Sequence, residues 1–406
     1  MAVGLNVPSN ILPISGIRLS AGCAGIYARK RDDVILLDLS EGSVVTGVFT
    51  RNLFCAAPVI LSKKHLETDS PRYFLINAGN ANAGTGAQGL SNSLRTCEAL
   101  AEIGKCHVEQ VLPFSTGVIG EPLPVEKIIN TLPELYANLS PEKWLLAAQA
   151  IMTTDTIPKA ISRKLIIDDK EITITGIAKG AGMIKPDMAT MLSFIATDAN
   201  IERETLNKLL KGAVNKSFNR ITIDGDTSTN DASMLIATGK ANNVKVSAEN
   251  EAAYSLFADT LTEVCCYLAQ AIIRDGEGAT KFIEIEVYGG KFQKDCLSVA
   301  YQIAESPLVK TAFTASDPNW GRILASVGCA RVDGLDISKI NIWLDDVCIV
   351  EGGQRANSYT EAAGKEKMLQ SEIKLSVCLG MGNIKETIWT TDLSHEYIRI
   401  NAEYRT

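Results

Sequence analysis

Histidine is scarce: the 406 residues hold three, His65, His107 and His395. None has a second histidine or a carboxylate at ligand spacing, so neither a histidine-bound metal nor a histidine-based triad is expected. No CxxC pair occurs among the ten cysteines, and Cys265 and Cys266 fall side by side on a helical pattern. Reduced, buried thiols in a cytoplasmic protein are the reading that follows. No segment combines clustered Lys and Arg with stacking aromatics, and the net charge of −7 comes from scattered acids. Nucleic acid is thus not expected as a partner. The stretch Met1 to Ile17 has neither a basic leader nor a continuous apolar run, and no later run reads as long enough to span a bilayer, so no membrane partner is expected.

Three familiar motifs also fail on inspection. Gly84-Thr-Gly86-Ala-Gln-Gly89 matches a dinucleotide-binding turn between a strand and a helix, yet the strand-like run from Gln110 to Gly117 lacks the acid that would hold a ribose. Asp224-Gly-Asp226 begins like a calcium loop, but position six is Thr229 and position twelve Leu235. Around Ser115 the neighbours are Pro113 and Gly117, not the flanking glycines of a hydrolase elbow.

What is present is an ordinary globular composition, 46% hydrophobic and 21% charged, in a chain long enough for two domains. Strand-like runs (Val34 to Leu39, Val44 to Thr50, Tyr73 to Ile76) alternate with helical patterns such as Leu94 to Ile103, which gives a mixed α/β (α+β) class. Leu165 to Ala178 alternates as a half-buried strand pair, with a further strand at Met191 to Thr197. Apolar residues recur at helical spacing over Glu202 to Phe218 and Glu251 to Ile273. The second helix ends at Arg274-Asp275-Gly276, a cation and a glycine suited to a helix C-terminus. A strand then starts at Phe282, which puts a structural boundary near residue 280.

The densest feature runs from Ala178 to Thr197. A glycine-rich turn and a proline bend lead to Ala189-Thr190, which opens directly into a strand. A hydroxyl there is placed to attack the Ala189 carbonyl, turn the amide into an ester and, after hydrolysis, leave Thr190 as a new N-terminus. One residue then carries both nucleophile and base, because an α-amine titrates near 8, and no histidine is needed. The run Phe114 to Gly120 can supply backbone and hydroxyl donors to an oxyanion.

The segment Lys179 to Leu192, together with Ser115 to Gly120, resembles the ornithine acetyltransferase (glutamate N-acetyltransferase) family. Five further motifs extend the likeness over nearly the whole chain: Ile76 to Ala83, Asp224 to Asp231, Arg274 to Thr280, Ser316 to Arg322, and Asn401 to Thr406. The resemblance implies scission between Ala189 and Thr190, with Thr190 as nucleophile and Thr116 and Gly117 as the oxyanion hole. Thr153, Lys179, Thr190, Glu277, Asn401 and Thr406 would bind the substrate. It implies a layered αββα sandwich similar in plan to N-terminal nucleophile hydrolases, a smaller second domain, and fragments 1–189 and 190–406 assembled as an α2β2 heterotetramer.

The implied reaction is ping-pong transfer of acetyl from N2-acetylornithine to glutamate, with no cofactor and no metal. In some members acetyl-CoA serves as a second donor, for which Lys159, Arg163, Lys164 and Lys185 are candidate contacts by sign. Lys179 and Glu277 give the cation and anion that a zwitterionic substrate demands. Lys185 and Asp187 differ from the commoner family text just before the cleaved bond. The reading from a different class is a self-processing aminopeptidase, in which water takes the acyl group.

Overall fold

The computed structural model describes residues 2–185 and 191–403. The strands of the first part of the chain are β1 (Ile17–Gly22), β2 (Val34–Leu39), β3 (Val44–Phe49), β4 (Tyr73–Asn80), β5 (Val111–Val118), β6 (Lys159–Ile167), β7 (Lys170–Lys179), β8 (Leu192–Thr197), β9 (Ile221–Thr222) and β10 (Ala232–Ala237). They form a four-stranded sheet in the order β1-β2-β4-β5 and a five-stranded one in the order β3-β10-β8-β7-β6, while β9 belongs elsewhere. Strands β2, β8 and β10 are buried along their whole length, the mark of a sheet covered on both faces. β6 and β7 are a hairpin whose two loop residues, Asp168 and Asp169, both take positive φ, as the tight turn matching strand twist requires.

The two sheets face each other across one core. Phe114 meets Phe74 and Phe194 there edge to face, with ring centroids 5.2 and 5.1 Å apart. Helices α1 (Ala57–Thr68), α2 (Gly86–Gly104) and α3 (Val125–Ala137) come from the first sheet's side of the chain, and Cys97, Leu100, Ile128 and Leu132 pack on Val34, Leu36 and Leu75. A short helix, α4 (Trp144–Ala150), closes the space between the sheets with Trp144. On the far side α5 (Arg203–Lys216) and α6 (Glu251–Arg274) cover the second sheet, so Leu206, Leu210, Phe257, Leu261 and Leu268 join Ile172, Ile174 and Leu235. The layers are therefore α, β, β, α, the sandwich that the family resemblance implies.

One expectation is corrected here. By length and composition α6 could cross a membrane: it has 24 residues and a mean hydropathy of 1.4 in its most apolar window. Along the sequence the run does not read as a span because Asp259 and Glu263 interrupt it. Ten of its residues, Ala253 to Ile273, are buried against the second sheet and its neighbours.

The remainder adds β11 (Phe282–Gly290), α7 (Gln293–Ala304), α8 (Pro307–Thr314), α9 (Trp320–Cys329), β12 (Asn341–Leu344), β13 (Val347–Glu351), β14 (Gln354–Arg355), α10 (Glu361–Met368), β15 (Glu372–Cys378), β16 (Ile384–Thr391) and α11 (His395–Ala402). Its seven-stranded sheet runs β14-β13-β12-β15-β11-β16-β9 and has its own core, built from residues between Ile283 and Ile388. β9 is a loan from the sandwich, paired in parallel with Trp389 and Thr390 of β16.

At this seam Lys310 of α8 is buried, its Nζ donating to Thr390 Oγ1 at 3.1 Å and to the Thr391 carbonyl. Burial, only partly offset by Asp392, Asp224 and Glu305, pulls its pKa down to about 8. The folded value lies below the unfolded one near 10.4, so the unfolded chain binds more protons between them, and stability contributed at this position rises from pH 8 to 10. In matched denaturant titrations the stability of the parent relative to Lys310→Met is expected to rise by roughly 2 kcal/mol over that range.

Candidate active site

The sheets' ends and the loops beside them line a cavity of about 250 Å³, of a size for an amino acid. Thr116, Gly117, Thr153, Lys179, Glu277 and Asn401 all line it, together with Ser228, Thr229, Asn230 and Met183. Ala189, Thr190, Asp187 and Thr406 lie outside the described residues.

Thr116 and Gly117 sit at the end of β5, abreast of Ala78 and Gly79 on β4, where the ladder shifts register. Gly117 has φ +134°, and a Cβ there would lie 2.3 Å from the Gly79 carbonyl carbon and 2.5 Å from Asn80 N. Only glycine allows the two backbones this close. Gly117→Ala is expected to force the strands apart, costing about 3 kcal/mol and most of the activity, readable as a lower melting temperature together with a lower kcat.

The motif Asn77 to Asn82 supports this strand end with buried amides. Ser115 Oγ donates to Asn77 Oδ1 at 2.6 Å, Asn77 Nδ2 to the Asn80 carbonyl at 2.8 Å, and Asn80 Nδ2 to the carbonyls of Glu121 and Pro122 at 3.1 Å. Asn230, from the loop before β10, donates to the carbonyls of Ala81 and Ser115 at 2.6 and 2.9 Å and so locks the two sheets together beside the cavity. Gly84 and Gly86 serve this scaffold rather than a nucleotide. They precede or open α2 at positive φ, and Gly89 packs so closely that a Cβ would lie 2.7 Å from Asn82 Oδ1.

Lys179 ends β7 and donates to Thr116 Oγ1 at 3.0 Å. Burial lowers its pKa from the usual amine range, opposed by the nearby acids Asp155, Asp231 and Glu277. Asp231 is buried too, with Oδ2 lacking a hydrogen-bond partner among the described residues. Burial pushes its carboxyl well above the usual range, and Ser228 and Lys179 offset this only in part. Glu277 follows α6, its N–H donating to the Ala181 carbonyl at 2.8 Å, and its Oε2 accepts from Asn401 Nδ2 of α11 at 2.7 Å. Gly182 makes room: a Cβ there would be 2.4 Å from Glu277 Oε2.

A buried ion triad that sequence reasoning passed over organises three of these positions. Lys159 Nζ lies 2.6 Å from Asp155 Oδ1 and 2.7 Å from Asp275 Oδ2, with all three side chains at most 1% exposed. Asp155 also accepts from the N–H groups of Thr153 at 3.0 Å and Gly180 at 2.7 Å. One carboxylate thus fixes Thr153 and the residue after Lys179, and Asp275 stands two residues before Glu277. Burial alone would raise the Asp155 pKa, yet Lys159, Lys179 and the Gly180 N–H hold it well below the carboxylate range. The available signal was the spacing of Asp155 and Lys159, four apart.

That triad corrects the reading of Lys159 as a coenzyme A contact, since the lysine is sealed in the interior. Arg163 pairs with Glu263 and Lys164 with Glu171, both at 2.6 Å, while Lys185 pairs with Glu305 at 2.9 Å. Their charges are already engaged. All ten cysteines are free thiols. No cluster of metal-binding side chains occurs among the described residues.

A double-sheet sandwich that sets a cation at a strand end and an anion after a helix around an amino-acid-sized hollow suits an enzyme acting on amino acids, and the family match makes it an acyltransferase, here of arginine biosynthesis. The chain belongs to the ArgJ family, whose profile matches residues 18–406. It is 55% identical over 406 residues, all of both chains, to the arginine biosynthesis bifunctional protein ArgJ of Pseudomonas fluorescens (strain Pf0-1). To the protein of the same name from Psychrobacter arcticus it is 50% identical, again over all of both chains. Among solved structures it is similar to the arginine biosynthesis bifunctional protein argJ of Bacillus halodurans, 38% identical, covering 50% of this chain and 95% of that one with a TM-score of 0.49. It is also similar to the ornithine acetyltransferase of Mycobacterium tuberculosis complexed with ornithine, 32% identical, covering 44% of this chain and 94% of that one with a TM-score of 0.39. Family membership sets aside the aminopeptidase reading.

Proposed function

We propose that the chain cuts itself between Ala189 and Thr190 and that Thr190 then carries acetyl from N2-acetylornithine to glutamate. Thr190 Oγ attacks the acetyl carbonyl while its own α-amine takes the hydroxyl proton. The tetrahedral oxyanion is met by donors at Thr116 and Gly117. Collapse breaks the amide, the amine returns the proton to the departing nitrogen, and ornithine leaves. The amine of glutamate then attacks the acetyl-Thr190 ester by the same steps in reverse. Amide is exchanged for amide, so the balance closes without a nucleotide, a cofactor or a metal.

The observation that carries this reading is the pairing of opposite charges in one small hollow: Lys179 bound to Thr116 on one wall, Glu277 held by Asn401 on another. In the proposed assignment Lys179 takes the α-carboxylate and Glu277 the ammonium, with Thr153, Asn401 and Thr406 completing the binding shell. Fragments 1–189 and 190–406 stay together, since β7 and β8 pair across the cut. The family's α2β2 assembly, the boundary near residue 280, acetyl-CoA as a second donor and a cytoplasmic setting belong to the same proposal.

Glu277→Gln tests the substrate assignment. It keeps the shape and the Asn401 contact but removes the anion, so KM for acetylornithine is expected to rise on the order of 10²-fold, with little change in self-scission. The central test is the intact mass of freshly purified protein: two pieces meeting at residues 189 and 190 are expected, and a single uncut chain with full transfer activity would overturn the proposal.

A further inference from the structure

The segment leading into the proposed cut is gripped from two directions. From the sandwich, Asp224 accepts from Met183 N at 2.6 Å and Ile184 N at 2.9 Å, Ile223 N donates to the Ile184 carbonyl at 2.8 Å, and Thr227 Oγ1 donates to the Lys185 carbonyl at 3.0 Å. This hold keeps Met183 at φ +54°, a left-handed conformation that a residue with a long side chain rarely adopts. From the smaller unit comes Glu305, whose Oε2 meets Lys185 Nζ at 2.9 Å.

Apart from that contact and its nearness to the buried Lys310, Glu305 is poorly placed. It caps the C-terminus of α7, where the helix dipole disfavours an anion. Its Oε1 is buried with no hydrogen-bond partner among the described residues. The carboxyl also abuts the loop that does the gripping, its Cδ lying 3.8 Å from where a Cβ would stand on Gly225. An acid kept at such a position needs a compensating cation, and Lys185 supplies it.

We propose that Glu305 is a positioning residue for self-scission: by pairing with Lys185 it ties the chain entering the cut to the smaller unit, so that this unit takes part in maturation. The inference rests on the reading that the chain cuts itself after Ala189. The pair joins the two fragments that the cut creates.

The test follows first-order appearance of the two fragments by gel and intact mass. Glu305→Gln and Lys185→Gln are each expected to slow it about three- to tenfold, and the double variant to be no slower than either single. Lys185→Arg, which keeps the charge, is expected to cut at the parental rate. Fully cut material from each variant should retain the parental kcat and KM with acetylornithine and glutamate. A parent that splits while both single variants keep pace removes the clamp alone. So does a double variant whose slowing is the product of the singles, or a Lys185→Arg chain as slow as Lys185→Gln. A parent that never splits removes the scission reading and this inference together.

Discussion

Thr190→Ala is expected to leave an uncut chain of 406 residues and to lower acetyl transfer on the order of 10⁴-fold or more. Two losses coincide in one substitution. The methyl group of alanine has no oxygen to attack the Ala189 carbonyl, so the α-amine is never released; with neither nucleophile nor base, the cavity can bind substrate and do nothing further. Thr190→Ser separates these effects. It keeps a hydroxyl and is expected to cut and to transfer, more slowly where the threonine methyl group had fixed the rotamer. Mass spectrometry reads the cut, and a coupled ornithine assay reads the transfer. An alanine variant that still yields two fragments would move the nucleophile elsewhere. Melting temperatures of the variant and the parent precursor should agree closely, which keeps a folding defect from imitating the result.

Lys159→Met is expected to be the most damaging single change away from the reacting atoms. The methionine fits the volume but leaves Asp155 and Asp275 facing each other without their cation, both at most 1% exposed. Removing one partner of a buried ion pair costs about 3 to 5 kcal/mol. By contrast, neutralising Arg163, whose pair with Glu263 is 39% and 55% exposed, is expected to cost less than about 1 kcal/mol. Chemical denaturation of the two variants side by side checks the contrast.

The same triad sets a pH signature. Asp155 has a folded pKa below its unfolded value, so its contribution is present above about pH 4 and fades as acid drives the pH down toward the folded value. Lys159 has a folded pKa above its unfolded value near 10.4, so its share is full below that pH and is lost as the pH climbs further. Activity should suffer with stability here, because Thr153 and Gly180 take their placement from Asp155.

Much of the site could be read along the chain, and for specific reasons. Gly117 and Gly182 are glycines that no side chain can replace without striking Gly79 or Glu277, and both fall inside the motifs that the sequence shows. Lys179 and Glu277 stood out as charges inside glycine-rich turns, where a solvated surface residue has no need of such a setting. Lys159 was misread for the converse reason: a lysine in a polar stretch looks exposed until strands from elsewhere close over it. The helix over Glu251–Arg274 was visible by its spacing, but whether its apolar face meets lipid or protein is not a property of the helix.

Local order alone marked several of the strands, the helices over Glu202 to Phe218 and Glu251 to Ile273, and the motifs that place the chain in its family. Those depend on backbone preference and on side-chain periodicity, both of which act over a few neighbouring residues. Only the folded chain decided that Asp155, Lys159 and Asp275 share one buried charge, that Asn230 bridges two sheets, and that Glu305 reaches Lys185 across 120 residues of sequence. These contacts are made by residues far apart along the chain, and the energy of a buried charge or amide depends on everything that excludes water from it, which no stretch of sequence carries by itself.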